Sequence, residues 1–395
     1  MNQGKYVFSQ LVNFLPQRVF DRVIVKYSGN KSVKHFTCWN QLLCMVFGQL
    51  SARESLRDLI TIIEAHKSKS YHLGFGKSIT RSNLSKANEN PNFKIFEEFA
   101  DHLIKVAQNK NDSSDFEIEG NIYAFDSSTI DLCLSVFCWA HFRKTKAGIK
   151  LHTLFDVNTQ IPVFIHITEA NIHDVNAMDV IDYEPLAYYI FDRAYVDYER
   201  LYRIEKAKAY FVVRAKSNIK FKRMYSKKVD KTTGIKYDQI GKIIGFYSSK
   251  DYPEKIRKVK YYDSETKKTL VFLTNNFKLS ANDIALLYKQ RWQVELFFKW
   301  IKQHLKVKTF WGRKVKTFWG RSENAVRVQI NVAIITYCLV SIVAKELKIN
   351  RSNYEILQIL SVSLLDKTPL NELLIKSDYN NVNEQSTNQL VFSLF

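Results

Sequence analysis

The order of apolar runs between residues 122 and 214 constrains the fold of this chain most strongly. Three strand-like runs come first, at Ile122–Phe125, Ile149–Val157 and Pro162–Thr168. The later runs alternate between helical and strand-like patterns, at 174–181 (helix), 186–191 (strand), 198–206 (helix) and 210–214 (strand). Short apolar runs bounded by turn residues predict buried strands, whereas apolar spacings of three and four predict helices. The segment is therefore predicted to form a mixed sheet flanked by helices.

This order of elements is the one expected of a ribonuclease H-like α/β fold. Residues 7–108 show helical spacing, and the polar stretch 109–119 reads as a linker. Strand-like runs at 243–247, 259–262 and 270–273 are separated by turn residues, and helices are predicted from Ser280 to about Leu305 and from Val326 to Leu347. The predicted domains are a helical N-terminal DNA-binding domain (1–115), a ribonuclease H-like catalytic domain (116–347) with a β-rich basic insertion (216–277), and a C-terminal helical segment and tail (348–395).

The charge balance points to a polyanionic partner. Lys and Arg number 59 against 39 Asp and Glu, a net charge of +20, and residues 206–275 alone contain 19 Lys and Arg but 6 Asp and Glu. Such a balance favours nucleic acid over an anionic membrane surface. The apolar stretch Val332–Ala344 is too short to cross about 30 Å of hydrocarbon, so it predicts a buried core helix. With no secretory pattern at the N-terminus, we expect a cytoplasmic protein with no membrane partner.

Two acidic residues stand at the ends of predicted strands. Asp126 ends the first strand, and Asp192 directly follows the fourth. If those strands are neighbours, both carboxylates lie at one sheet edge, where oxygen ligands suit Mg²⁺. The alternative for either residue alone is a cap on the following helix or turn.

A third acid belongs to a stripe on the helix predicted from Ser280. The stripe members, spaced by three, four and seven residues, are Tyr288, Arg291, Glu295 and Lys302. At about 100° per residue these four side chains share one face of a helix. A phenol, two cations and a carboxylate in one row favour a functional surface, and Trp292 beside them is either a base-stacking surface or a core residue. The alternative is a solvated face with ordinary ion pairs.

The N-terminal region offers weaker signals. In the polar stretch 74–90, Ser82 is predicted to cap a short helix that carries Lys86 and follows Arg81. This helix is either the second half of a helix-turn-helix, meeting DNA through Arg81 and Lys86, or part of a solvated loop. The histidines of the catalytic half lack the four-residue spacing of a zinc protease, which favours supporting roles for His141, His152, His166 and His173.

The three acids and the Tyr288-x2-Arg291-x3-Glu295-x6-Lys302 spacing resemble the DDE transposases of bacterial insertion sequences, in the branch with a Tyr-Arg-Glu-Lys signature. Further matches are Asp126-Ser-Ser-Thr129, Asp192-Arg-Ala-Tyr195 and Phe211-Val-Val-Arg214-Ala-Lys216. That branch has a β-rich insertion between its second and third acids, as predicted here. The resemblance covers most of residues 121–345 and says little about the N-terminal region.

The resemblance implies that Asp126, Asp192 and Glu295 hold two divalent cations, Mg²⁺ with Mn²⁺ as a substitute, for in-line phosphodiester cleavage. It implies that Tyr288, Arg291 and Lys302 grip phosphates, and it adds Arg214 and Lys216 to the DNA-binding set. The implied partners are double-stranded DNA, at the inverted-repeat ends and at the target, and a second copy of the chain in a synaptic homodimer. Nicking, a hairpin at the element end, hairpin opening and strand transfer are the steps it suggests.

Two other functions remain open from the sequence. One is a ribonuclease H-like nuclease that cuts without joining, and the other is an inactive DNA-binding relic that occupies element ends. The intact set of acids argues against the relic. A perfect tandem repeat, KVKTFWGR at 306–313 and again at 314–321, is too short for a stacked-repeat structure, so we predict that the second copy is an insertion that bulges outward.

Overall fold

The computed structural model describes residues 4–76, 79–108, 118–132, 137–143, 146–304 and 319–375. Its α-helices are α1 Val7–Val12, α2 Gln17–Lys26, α3 Cys38–Leu50, α4 Leu56–Ala65, α5 Arg81–Glu89, α6 Lys94–Gln108, α7 Tyr198–Lys206, α8 Ser248–Asp251, α9 Ala281–Lys289, α10 Trp292–His304, α11 Glu323–Glu346, α12 Asn353–Ser363 and α13 Leu370–Leu374. Its strands are β1 Ile122–Leu132, β2 His141–Arg143, β3 Lys146–Asp156, β4 Ile161–Glu169, β5 Tyr188–Phe191, β6 Tyr210–Arg214, β7 Phe221–Lys227, β8 Ile235–Ile243, β9 Ile256–Asp263 and β10 Lys268–Thr274.

The central part of the sheet has the predicted topology. β1, β3 and β4 are antiparallel to one another in turn, and β5 and β6 run parallel to β1 on its other side. Every residue of β5 is buried, as expected for a parallel strand covered on both faces. The α/β, ribonuclease H-like fold class is therefore confirmed, because three antiparallel strands are followed by two strands parallel to the first.

The insertion continues this sheet rather than forming a separate layer. β10 pairs antiparallel with β6, and β9, β8 and β7 follow outward in that order. The strand predicted at 243–247 is wrong, since β8 ends at Ile243. Phe246 and Tyr247 are 72% and 75% exposed, so this apolar run lacks the buried face that a strand of the sheet would have.

A buried ion pair ties the insertion to the helix that follows it. Arg257 donates two hydrogen bonds to Asp238, from Nε to Oδ1 at 2.9 Å and from Nη2 to Oδ2 at 2.8 Å. Its remaining Nη1 donates to the carbonyl oxygens of Asn276 and Leu279, at 3.1 and 2.7 Å. Bidentate geometry with satisfied donors is the arrangement in which a buried pair is tolerated. The pair fixes the segment that leads into α9.

The N-terminal helices pack on α11, which comes more than 200 residues later in the chain. Lys345 donates to the carbonyl oxygen of Ala107 in α6 at 2.8 Å, and α11 also contacts α3. Among the described helices, α11 alone has the length and composition of a membrane span, yet nearly all of it is buried in the protein. The prediction of a buried core helix at 332–344 is confirmed. The domain limits stay predictions, since the predicted linker lies mainly in 109–117, outside the described residues.

Three local predictions are corrected by hydrogen bonding. The cap of α5 is Thr80, whose Oγ1 accepts from the Asn83 N–H at 3.2 Å, and not Ser82. The helix predicted at 174–181 is a 3-10 helix, Asp174–Val180. The helix predicted from Ser280 to Leu305 breaks between α9 and α10, because the N–H groups of Gln290 and Arg291 bond three residues back instead of four.

The end of the tandem repeat is anchored in the helical core. Trp319 is buried, and its backbone N–H donates to Gln329 Oε1 at 2.7 Å. A Cβ added to Gly48 would collide with the Trp319 ring, so the ring packs directly on α3. The Arg321 carbonyl oxygen accepts from the indole N–H of Trp139 at 2.9 Å. The prediction that the whole second copy bulges outward is wrong at this end, while residues 305–318 lie outside the described residues.

Deleting Lys314–Arg321 is expected to preserve folding. The two copies are identical, so Trp311 would take the place of Trp319 against Gly48 and only the connecting segment would shorten. The melting temperature should stay within a few degrees of the parent, as a change of about 1 kcal/mol or less implies. As a matched control, Trp319→Ala in the full chain should cost about 3–5 kcal/mol. A deletion variant that is insoluble while the parent folds would show that both copies are structural.

Candidate active site

The first two acids lie at the same level of adjacent parallel strands. Phe125 and Phe191 are paired in the β1–β5 register, and Asp126 and Asp192 are the next residue of each strand. β5 ends at this point whereas β1 continues, and the two carboxylates are close enough that the charge of Asp192 acts on Asp126. The structure thus brings together the predicted pair, but the prediction that Asp126 ends its strand is wrong: β1 continues to Leu132, because residues 126–132 stay paired with β3.

Arg291 links the third acid, Glu295, to Asp126. Glu295 stands on α10, which packs against β1. The Arg291 guanidinium spans the two carboxylates, with Nη1 at 2.6 Å from Asp126 Oδ2 and Nη2 at 2.6 Å from Glu295 Oε1. The Tyr288 hydroxyl donates to Asp192 Oδ1 at 3.1 Å. The predicted stripe therefore converges on all three acids even though its helix is broken at Gln290.

Burial and the charges at this edge shift the pKa values of Asp126 and Tyr288. Burial raises the pKa of Asp126 to about 6; Arg291 and the Ser127 N–H oppose this, and the nearby Asp192 and Glu295 add to it. Burial, and then the charge of Asp192, raises the pKa of Tyr288 to about 12. Tyr288 is therefore a protonated hydrogen-bond donor at neutral pH.

An open cleft of about 520 Å³ runs beside these groups. It is lined by Asp126, Ser127, Ser128, Glu295, Phe298, Lys299 and Lys302. Burial lowers the pKa of Lys302, with Asp131 opposing that effect. The cleft thus places Asp126 of β1 opposite Glu295, Lys299 and Lys302 of α10, and this mixture of carboxylates and cations suits a metal-bound phosphate.

The other predicted DNA-binding residues lie at different distances from the acids. Trp292 is 59% exposed, so the alternative that it is a core residue is wrong. Arg214 ends β6 and acts electrostatically on Tyr288, whereas Lys216 donates to the carbonyl oxygen of Val196 at 3.0 Å. Arg81 and Lys86 are exposed on α5 among the N-terminal helices.

A polar network next to Asp126 was not predicted from the sequence. Ser127 Oγ donates to Asp174 Oδ1 at 2.7 Å, and Lys150 Nζ lies 3.1 Å from the same oxygen. Lys150 also donates to the carbonyl oxygen of Ile172 at 2.6 Å. Asp174 thus holds the side chain of Ser127, the residue that follows Asp126. The available signal was an acid directly after His173, but its partners are distant in sequence.

His152 is buried behind this network, and its lowered pKa predicts that it makes the stability of the fold depend on pH. Its Nε2 lies 2.9 Å from Thr168 Oγ1, and burial lowers its pKa to about 4, with Asp174 opposing. Its predicted supporting role agrees with this position.

We expect His152 to lower the stability of the folded protein as the pH falls from about 6.5 to about 4, a contribution opposite in sign to that of Asp126, whose raised pKa favours folding in the same range. In this range the unfolded chain binds a proton on His152 that the folded chain excludes, so the loss should reach about 3 kcal/mol. Urea unfolding at about pH 7 and about pH 4.5 measures it. Between these pH values the parent should lose about 3 kcal/mol more stability, or gain that much less, than His152→Gln, whereas His72→Gln, at an exposed position, should follow the parent. An equal pH dependence in His152→Gln would refute this explanation.

The donor set suits a hard divalent cation. Asp126, Asp192 and Glu295 offer carboxylate oxygens, the ligands that Mg²⁺ prefers. Among the described residues, no three His, Cys, Asp or Glu side chains are already arranged to hold an ion. The Arg291 guanidinium lies between Asp126 and Glu295, so it is the group that has to move for both acids to share a cation.

Comparisons with known proteins give the family of the chain. Residues 118–339 match the family model described as "Transposase DDE domain", and residues 3–76 match a "Domain of unknown function (DUF4372)". Because the first match covers more than half of the sequence, the chain belongs to the transposase DDE-domain family.

Individual relatives agree with this family. The chain is 36% identical over 225 residues to a putative transposase of Sinorhizobium fredii, covering 56% of this chain and 59% of that protein. It is 30% identical over 226 residues to a probable insertion-sequence transposase of Geobacillus stearothermophilus, covering 54% of each. It is 24% identical over 270 residues to a putative insertion-sequence transposase of Synechocystis, covering 68% and 72%. The chain therefore spans little more than half the length of the first two relatives.

Among solved structures, the piggyBac transposase synaptic complex with hairpin DNA aligns over 96% of this chain and 87% of that chain. The TM-score is 0.47 and the sequence identity is 13%.

Proposed function

We propose that this chain is a DNA transposase of the branch with the Tyr-Arg-Glu-Lys signature. It binds the ends of an insertion sequence and catalyses metal-dependent DNA cleavage and strand transfer. One observation carries the proposal: in a chain of the DDE family, Tyr288 and Arg291 connect the three acids Asp126, Asp192 and Glu295 at one sheet edge.

Asp126, Asp192 and Glu295 are the residues that would hold two divalent cations, Mg²⁺ or Mn²⁺, and bound cations would activate the attacking oxygen and stabilise the leaving oxygen. Tyr288 orients Asp192 through its hydroxyl. Arg291, with its rigid fork of donors, and Lys302, as a point charge, grip the phosphates next to the reacting bond. Trp292 offers an exposed ring on which an unpaired base can stack.

DNA is the proposed partner, as terminal inverted repeats and as target. The basic insertion supports this proposal, because β7 to β10 continue the sheet from β6 and residues 206–275 contain 19 Lys and Arg but 6 Asp and Glu. Arg214 and Lys216 on the catalytic side, with Arg81 and Lys86 on α5, complete the proposed DNA-binding set. We propose a homodimer in the synaptic complex and a place of action in the bacterial cytoplasm, on the nucleoid.

The test uses the full chain with a plasmid that carries its coding sequence and flanking DNA, in Mg²⁺ and in Mn²⁺. We expect strand nicks at the element ends and joined products in a target plasmid. Nicks without joined products would favour the ribonuclease H-like nuclease. Binding of the ends without nicks in either metal would favour the inactive relic.

A further inference from the structure

A wide groove crosses the N-terminal helices, far along the chain from the acids. It has a volume of about 810 Å³ and lies between the loop that follows α2, residues 27–36, and one face of α5. Its cationic lining residues are Lys31 and Lys34 on the loop and Lys86 on α5, and His35 lies beside them. This surface is called the basic groove below. No Asp or Glu is among the described residues that line it.

The lysines of the basic groove have no acidic partner. Lys31, Lys34 and Lys86 are exposed, and within the described part of the chain none of them forms an ion pair. Nearby Lys26, by contrast, is paired with Glu98 at 2.7 Å. Three unpaired cations around one concave surface repel one another, and a polyanion that enters the groove relieves that repulsion.

The loop that carries Lys31 and Lys34 is held in place. A Cβ on Gly29 would collide with Ile95 of α6, and Asn30 Oδ1 accepts from the Cys38 N–H at 2.9 Å. The Lys31 N–H donates to the Ser28 carbonyl oxygen at 3.0 Å. Because the backbone is fixed, less conformational entropy is lost when the two lysines meet a ligand.

The basic groove is also fixed relative to α10, because both contact α11. Asn324, in the first turn of α11, donates to the carbonyl oxygens of Asn88 and Pro91 at 3.1 and 2.8 Å, and its Oδ1 accepts from the Phe93 N–H at 2.9 Å. α11 also packs against α10, which carries Glu295. One helix therefore sets the offset between the basic groove and the acids.

We infer that the basic groove binds the sugar-phosphate backbone of the element's terminal DNA. The DNA at an element end has to be cut at a set distance from the segment that the protein binds. A fixed offset between the basic groove and the acids therefore suits an element end, whereas target DNA does not have to be joined at a set distance from a bound segment. The inference rests on the proposed function and names a DNA surface for it. It adds Lys31 and Lys34, on a loop outside the predicted helix-turn-helix, to Lys86.

The test compares two triple variants of the full chain. The groove variant is Lys31→Gln, Lys34→Gln and Lys86→Gln. The control, Arg57→Gln, Lys67→Gln and Lys105→Gln, removes the same charge from exposed positions of the same helical region outside the basic groove. The probes are duplexes of about 40 bp tiled across the DNA that flanks the coding sequence, with a scrambled duplex for comparison. Binding is measured from about 50 to 200 mM salt, the range over which phosphate contacts are resolved.

We expect the groove variant to bind the end duplex about 10- to 100-fold more weakly near 0.1 M salt, with a salt slope lower by about two to three, one for each lost phosphate contact. The control should change much less. Unaltered circular dichroism and melting temperature would show that the groove variant is folded.

An unchanged affinity and slope for the end duplex, in a folded groove variant, would overturn the inference even if scrambled DNA is bound less well. That outcome leaves the proposed function intact as long as the parent nicks the element ends. Failure of the parent chain to bind any duplex or to nick in either metal would instead remove the proposed function itself.

Discussion

Asp126→Asn, Asp192→Asn and Glu295→Gln are each expected to abolish nicking and strand transfer while DNA binding is kept. Each substitution removes a charged oxygen ligand but keeps the side-chain shape, and in Asp192→Asn the new amide oxygen can still accept from the Tyr288 hydroxyl. The nicking rate should fall by more than about 10³-fold, because metal-based stabilisation is worth several kcal/mol and about 1.36 kcal/mol is a factor of ten.

The measurement is single-turnover nicking of end DNA in Mg²⁺, with binding followed separately in Ca²⁺. Asp182→Asn, an exposed acid that follows the 3-10 helix, is the matched control and should nick normally. Normal nicking by Asp192→Asn would exclude the proposed site.

Arg291→Met is expected to change metal binding and catalysis in opposite directions. The variant lacks the charge that now lies 2.6 Å from both Asp126 and Glu295, so Mn²⁺ should bind the DNA-free protein at least about tenfold more tightly. That expectation is conservative, since one unit charge at about 4 Å contributes about 4 kcal/mol at an effective dielectric constant of about 20. Nicking should nevertheless fall by about 10²-fold or more, because a donor to the reacting phosphate is lost.

Free Mn²⁺ counted by electron paramagnetic resonance gives the affinity without reference to activity. Arg291→Lys keeps the charge but loses the bidentate fork, so it should bind Mn²⁺ like the parent and recover only part of the nicking. Mn²⁺ affinity that is equal in the parent and in Arg291→Met would show that the guanidinium does not compete with the cation.

Much of the catalytic half follows from local patterns. The apolar runs that predict strands at 122–125, 149–157, 162–168 and 210–214 correspond to β1, β3, β4 and β6. They are readable because these runs are rich in β-branched and aromatic residues and are bounded by turn residues. The run at 243–247 was wrongly predicted to be a strand, because Phe246 and Tyr247 are aromatic but exposed.

The candidate site was predictable where spacing alone places the side chains. Tyr288, Arg291 and Glu295 recur at helical intervals, and across the break at Gln290 the Tyr288 hydroxyl and the Arg291 guanidinium still contact the acids. Their exact partners were not predictable. The link from Arg291 to Asp126 spans 165 residues, and the link from Lys150 to Asp174 depends on the path of β3 and β4.

The sequence by itself determined the order of the strands along the chain, the position of Asp192 directly after a strand, and the row of polar residues that carries Glu295. These features depend on periodicity and on neighbours in the chain, which the residues encode directly. Only the tertiary structure decided that the N-terminal helices close on α11, that Arg291 lies between two of the acids, and that Lys31 and Lys34 face Lys86 across one groove. Those contacts arise because burial of apolar surface brings distant segments together, and no local pattern specifies which segments meet.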